Sequence, residues 1–166
     1  MNQKRLHQMT ITGLMIALTC ITTMFFQIPV PETRGYVHFG DSFILLAGCL
    51  FGPVPGMLTG AIGSAMADLL SGYGHWAPFT LVIKGVEGLL AGYLLAKCNR
   101  TLPRVLVLCL AALVMAAGYL AAECVLYTPP VALLSLPGNL LQWAFSVVLA
   151  AMLEKPLKKF VNQQRF

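Results

Sequence analysis

Apolar positions dominate the chain in long stretches that are broken by Pro, Gly or charge, without the strict alternation of a half-buried strand. Read as helices, these stretches fall at about 8–28, 40–53, 56–72, 77–97, 103–127 and 132–154. A helix needs roughly 20 apolar residues to cross about 30 Å of hydrocarbon, and the second and third stretches are shorter than the rest. They are separated only by "GPVPG", where Pro53 and Pro55 remove amide donors, so the pattern predicts two helices joined by a tight turn. The first stretch follows Lys4 and Arg5 in the manner of a signal peptide. Its apolar run is about 18 residues, longer than the roughly 7–15 of a signal core, and it is expected to be the first transmembrane helix.

Composition agrees with the pattern: 58% of the residues are hydrophobic and 10% are charged, and the mean hydropathy is +0.78. A soluble domain of this length carries far more charge. The expected fold class is an all-α membrane protein, a six-transmembrane-helix bundle forming one domain over residues 1–166, with both termini cytoplasmic. The orientation follows from Lys and Arg, which concentrate beside cytoplasmic loops. Lys4, Arg5, Lys97, Arg100, Arg104, Lys155, Lys158, Lys159 and Arg165 all fall on one side, whereas Arg34 lies in the first outer loop and Lys84 within the fourth span. The basic pI of about 9.1 thereby reports topology, with no case for nucleic acid.

A charge facing lipid at a helix centre costs about 2.5–3.5 kcal/mol, whereas each Leu or Ile returns only about 0.3–0.6 kcal/mol. The polar groups inside the spans are accordingly expected to face protein, water or a ligand. Asp41 opens the second span, Asp68 closes the third, Lys84 and Glu87 lie in the outer half of the fourth, Glu123 near the outer end of the fifth, and Asn139 and Gln142 in the outer half of the sixth. All of these lie toward one side, which predicts an outward-facing polar chamber. At about 100° per residue, Thr80, Lys84, Glu87 and Ala91 share a stripe, as do Tyr119, Glu123 and Tyr127, and Ser135, Asn139, Gln142 and Ser146. The outer connections "ETRGYVHFG" and "SGYGHWAP" add Arg34, Tyr36, His38, Tyr73, His75 and Trp76 as lid candidates.

Alternative roles stay open for several of these residues. Asp41 suits a helix N-cap as well as a ligand contact, and Lys84 has Glu87, Asp41 and Asp68 as competing partners. Tyr73 and Trp76 suit an interfacial aromatic belt as well as a binding site. Asn139 and Gln142 offer donors and acceptors either to a ring with heteroatoms or to a neighbouring helix.

Small residues recur at spacings of four: Gly13 and Ala17 on the first helix; Gly56, Gly60 and Ser64 on the third; Gly88 and Gly92 on the fourth. Such faces permit close helix contact. Those on the third and fourth helices read as internal packing, while the first helix could offer its small face to another subunit. Cys20, Cys49, Cys98, Cys109 and Cys124 lack CxxC spacing, and His7, His38 and His75 lack ligand spacing, so neither a metal nor a cofactor is expected. No GxxxxGK[ST] loop is present to hold nucleotide phosphates, so if the protein performs active uptake its motor is expected on a separate chain.

The small pair Gly13 and Ala17, the segment from "GYVHFGD" through "GPVPG", "MADLLSGYGHW" and "KGVEG", and the "PGNLLQ" of the last span resemble the S components of energy-coupling factor (ECF) transporters over nearly the whole chain. The middle segment most resembles the riboflavin-like, pyridoxine and hydroxymethylpyrimidine subgroup. The resemblance implies a substrate-capture subunit in the bacterial plasma membrane that docks on a module of one transmembrane coupling protein and two ATPase subunits, with Gly13 and Ala17 contacting the coupling protein. Gly13 stands where the family more often has Ala. It also implies a ligand held near the outer face by the fourth to sixth helices and carried inward by toppling of the whole subunit. The expected ligand contacts are Glu123, Asn139, Gln142, Lys84, Glu87, Thr80, Tyr119, Tyr36, His38, Trp76, Asp41 and Asp68, around a one-ring vitamin or precursor that is pyridoxine-like or hydroxymethylpyrimidine-like. Pantothenate is a rival through Lys84 or Arg34, and riboflavin a larger one. Two other classes compete: an intramembrane enzyme using Ser64 or Ser71 with a histidine, and a structural scaffold.

Overall fold

The computed structural model describes residues 3–98 and 101–163. Arg100, Arg165 and the side chain of Lys4, which entered the orientation argument, lie outside the described residues. The chain opens with α1 (Gln3–Phe25), turns through a hairpin of β1 (Gln27–Val30) and β2 (Gly35–His38), and continues in α2 (Asp41–Phe51). A run of α3 (Pro53–Leu58), a π-helical turn (Thr59–Gly63) and α4 (Ser64–Leu70) follows. The remaining elements are α5 (Ala77–Leu95), α6 (Thr101–Leu126) and α7 (Pro129–Gln163).

The first helix ends three residues earlier than its apolar pattern predicts, and the hairpin was not expected. Strands β1 and β2 pair antiparallel, Gln27 opposite His38 and Val30 opposite Gly35. Between them Pro31–Thr33 forms a 3-10 turn that closes with Arg34 in the left-handed region at φ 47°. The turn between α2 and α3 is also tighter than "GPVPG" predicts. Gly52 alone makes it, at φ 98°, a conformation that costs glycine little. Pro53 and Pro55 fall within the first turn of α3, where a missing amide donor costs nothing.

Helix α5 is central, packing on α2, on the whole Pro53–Leu70 run and on α6, while α7 lies against α2 and α6. Glycine makes those contacts close. A Cβ on Gly48 would sit 2.8 Å from the Gly92 nitrogen and 2.9 Å from the Gly88 oxygen, and one on Gly60 would collide with the Lys84 carbonyl. The π turn carries Gly60 into this contact and turns Gly63 onto α1, where a Cβ would sit 2.9 Å from the Ile16 oxygen. Gly13 differs: a Cβ there meets nothing within 4 Å, and Gly13 and Ala17 lie exposed.

An apolar core fills the bundle between two ends that each carry polar groups. The apolar core holds Leu45, Leu46, Ala91, Leu95, Leu108, Ala112, Val147 and Ala150, from the middle of α2 and α7, the end of α5 and the first half of α6. The outside is oily along its length, with Leu14, Ile21, Val82, Leu110, Leu141, Val148 and Met152 among the exposed side chains. Four helical segments are long and apolar enough to cross a membrane: Arg5–Phe25, Ala77–Leu95, Pro103–Leu126 and Pro129–Lys159. Helix α2, at 11 residues, rises only about 16 Å.

Candidate functional site

At the end of the bundle away from the apolar core, side chains from the hairpin and from α4 to α7 surround a cavity of about 30 Å³. That is room for a water molecule and not for a ring. Its walls include Asp68 from the end of α4, Trp76 and Thr80 from the start of α5, and Tyr119 and Glu123 from the last turns of α6. Ser135, Asn139 and Gln142 come from the first half of α7, and Val30, Thr33, Gly35, Tyr36 and His38 from the hairpin. The α7 residues converge because spacings of four and three keep them on one helical face. Gly35 lets the hairpin lie against the indole: a Cβ there would be 3.4 Å from Trp76 Nε1.

Hydrogen bonds close the hairpin over this cavity. The Tyr36 hydroxyl donates to Asp68 Oδ1 at 2.6 Å, the Tyr127 hydroxyl to the Thr33 carbonyl at 2.6 Å, and Gln27 Nε2 to Ser71 Oγ at 3.1 Å. The rings of Tyr36 and Tyr73 stack with centroids 4.6 Å apart. His38 anchors the second strand. Its backbone N–H donates to Gln142 Oε1 at 2.9 Å, and its Nδ1 accepts the Gly40 N–H at 3.0 Å, which assigns the ring proton to Nε2. Burial holds this imidazole neutral, with its pKa pushed down to about 4. Burial and the adjacent Asp68 carboxylate push the Tyr36 phenol above its ordinary range.

Three of the expected contacts do not line the cavity. Asp41, Lys84 and Glu87 are sealed beneath it with no solvent exposure. Lys84 Nζ donates to Asp41 Oδ1 at 2.5 Å and lies 3.7 Å from Glu87 Oε2, so of its competing partners Lys84 takes Asp41 first. Gln142 Nε2 donates to Asp41 Oδ2 at 2.6 Å, tying this ion cluster to the cavity wall. Nor does Asp41 cap its helix. Gly40 occupies the N-cap, and Asp41 stands in the first turn with both oxygens engaged across helices.

The remaining nine expected contacts, Glu123, Asn139, Gln142, Thr80, Tyr119, Tyr36, His38, Trp76 and Asp68, share the one cavity. Ser135 donates to Glu123, and the Thr80 and Tyr119 hydroxyls meet at 3.0 Å. Among the described residues, three buried polar atoms in the walls have no hydrogen-bond partner: Asp68 Oδ2, Trp76 Nε1 and Asn139 Nδ2. Of the other lid candidates, Arg34 and His75 lie exposed and Tyr73 is half-buried. Val30, Thr33 and Gly35 were missed, although short β-branched runs on either side of "PETRG" are a hairpin signal.

The opposite end holds polar groups too, contrary to the one-sided distribution expected. Arg104 donates to Glu154 through Nε and Nη2, to the carbonyls of Cys98 at 2.7 Å and Leu95 at 3.1 Å, and to Cys49 Sγ at 3.1 Å. This fork ties α2, α6 and α7 to the end of α5. For the hydrolytic alternative, the Ser64 hydroxyl is buried without a partner and Ser71 accepts from Gln27. Among the described residues neither serine meets a histidine. No group of three or more His, Cys, Asp or Glu that could hold a metal occurs among them either.

Comparison with known proteins adds family and fold. Residues 3–159 match the family described as ECF-type riboflavin transporter, S component. An uncharacterised protein of Pyrococcus woesei is 52% identical over 73 residues, 44% of this chain and 49% of the relative. The thiamine precursor transporter HmpT of Lactococcus lactis subsp. cremoris is 30% identical over 93 residues, 55% of this chain and 56% of the relative. The chain spans about half the length of these curated relatives. In three dimensions it resembles the crystal structure of FolT bound with folic acid, with a TM-score of 0.71 and 19% identity over 90% of this chain and 95% of the other, a likeness of fold.

Proposed function

Because the chain belongs to the ECF-type riboflavin transporter S component family, a family of transporter components and not of enzymes, we propose that it captures a vitamin or vitamin precursor for uptake. The observation carrying this reading is the convergence of Asp68, Trp76, Thr80, Tyr119, Glu123, Asn139 and Gln142, from four helices, on one cavity beneath the hairpin. Aromatic faces there desolvate a small heterocycle while carboxylate, amide and indole groups meet its donors and acceptors. A volume of about 30 Å³ is smaller than any ring, so ligand entry in this reading goes with displacement of the hairpin that covers the cavity. HmpT, a relative by sequence, is named for a thiamine precursor, which supports a hydroxymethylpyrimidine-like ligand, with a pyridoxine-like ring as the alternative. The pantothenate reading loses its anchors, since Lys84 is engaged with Asp41 and Arg34 is exposed away from the cavity walls.

In this reading the chain is one domain of six spans, with α2 and the Pro53–Leu70 run as the two short ones. It lies in the bacterial plasma membrane with both termini cytoplasmic and the hairpin outside. The coupling subunit docks on the exposed Gly13 and Ala17 face of α1, and two ATPase subunits drive transport. Thermal-shift and tryptophan-fluorescence titration of the detergent-purified protein tests capture. Nanomolar binding of hydroxymethylpyrimidine or pyridoxine without turnover is the expected result, and no stabilisation by either of these, riboflavin, folate or pantothenate would sink it.

A further inference from the structure

Every partnerless polar atom around the cavity states what a ligand must supply. Asp68 Oδ2 is open to a donor, and Trp76 Nε1 and Asn139 Nδ2 are open to acceptors, with Thr80 beside Asp68 and Glu123 beside Asn139 as the protein groups a ligand would compete with. Asp68, Trp76 and Asn139 are each more than nine-tenths buried, so water is poorly placed to answer in the ligand's stead. An alcohol, a phenol or a ring amine beside a ring nitrogen meets all three demands. A carboxylate or phosphate could accept from the indole and the amide, but it would do so beside Asp68 and Glu123 with no counter-charge.

Among the described residues no Lys or Arg stands in the cavity walls. Lys84 is held on Asp41 at 2.5 Å, with the Tyr119 ring centroid 5.3 Å from its Nζ. His38, with its pKa near 4, carries no charge at neutral pH. A carboxyl group in either protonation state gives an anion nothing to pair with. Building on the capture reading, we infer that the site discriminates by charge: it accepts uncharged or cationic ring compounds carrying a hydrogen-bond donor and rejects the carboxylate and phosphate forms of the same rings. Asp68 and Glu123 are the specificity-determining groups.

Matched pairs of probes test this on the detergent-purified chain at neutral pH: pyridoxine against pyridoxic acid and pyridoxine phosphate, and hydroxymethylpyrimidine against its phosphate ester. Pyridoxic acid exchanges an alcohol for a carboxylate at nearly constant size, which separates charge from bulk. The expected result is that the parent ring binds and its anionic counterpart is weaker by about a hundredfold or more, the scale of uncompensated like charge in a desolvated site. Asp68→Asn weakens the parent and narrows the gap, and Glu123→Gln provides a second reading should the first variant fold poorly. An anionic form binding as tightly as its parent overturns the inference and leaves capture standing, as does a gap unchanged in both variants. Failure of every parent ring, riboflavin and folate to bind overturns the capture reading and this inference with it.

Discussion

The ammonium of Lys84 lies 2.5 Å from the carboxylate of Asp41, 43 residues away in sequence, and neither side chain touches solvent. The pair joins α5 to α2, and through Gln142 it reaches α7 and the hairpin. A charge pair of this kind is held by mutual compensation. The attraction balances desolvation only while both partners remain.

Removing one partner is therefore expected to cost more than removing both. Lys84→Met or Asp41→Asn destabilises the folded chain by about 3–5 kcal/mol, because the remaining group is left buried without its partner. The double variant Asp41→Leu/Lys84→Met recovers most of that loss. Chemical unfolding in detergent measures it, and single variants as stable as the double would contradict the compensation argument.

The fork of Arg104 at the other end makes a separate prediction. Arg104→Ala leaves Glu154 and two carbonyls without their donor, for a loss of about 3 kcal/mol or more. Ligand affinity should change by no more than about twofold, the scale of coupling between distant sites. An affinity loss as large as that of Asn139→Ala would show that the two ends are linked.

The pH dependence of stability follows from His38. Its pKa falls from 6.5 to about 4 when the hairpin closes over it, so the opened or unfolded state binds the proton more readily. Its contribution is present in full above about pH 6.5 and is lost as the pH falls through 4. Melting temperature followed from neutral to acid pH should drop across this window. In His38→Gln the part of the drop due to this residue should vanish; an unchanged profile in the variant would exclude His38 as its source.

Glycines in packed and open settings should behave in opposite ways. A side chain at Gly48 meets the backbone of Gly88 and Gly92, and Gly48→Val is expected to cost about 1–3 kcal/mol or more. Gly13→Val meets open space and should leave stability and ligand binding unaltered while reducing co-purification with the coupling subunit. Normal co-purification would remove α1 from the docking surface.

The helical segments and the polar residues within them were legible in the sequence because an oily chain announces its helices by composition and its costly residues by contrast. Asn139 and Gln142 could be placed on one face with Ser135 in advance since spacings of four and three keep residues of one helix together. The hairpin escaped notice because its strands are only four residues each, too short for periodicity to register. The Arg104–Glu154 pair escaped too, since its members lie 50 residues apart at the ends of apolar stretches where a charge excites no suspicion.

What the sequence determined alone was local: where helices run, which faces are small, and which side chains hydrocarbon would refuse. Which carboxylate Lys84 chose, why Gln142 serves both the ion cluster and the lid, and which polar atoms were left without partners were decided only by the tertiary structure. Those outcomes depend on distances of a few ångströms between helices remote in the chain, and periodicity within one helix carries no information about its neighbour's register.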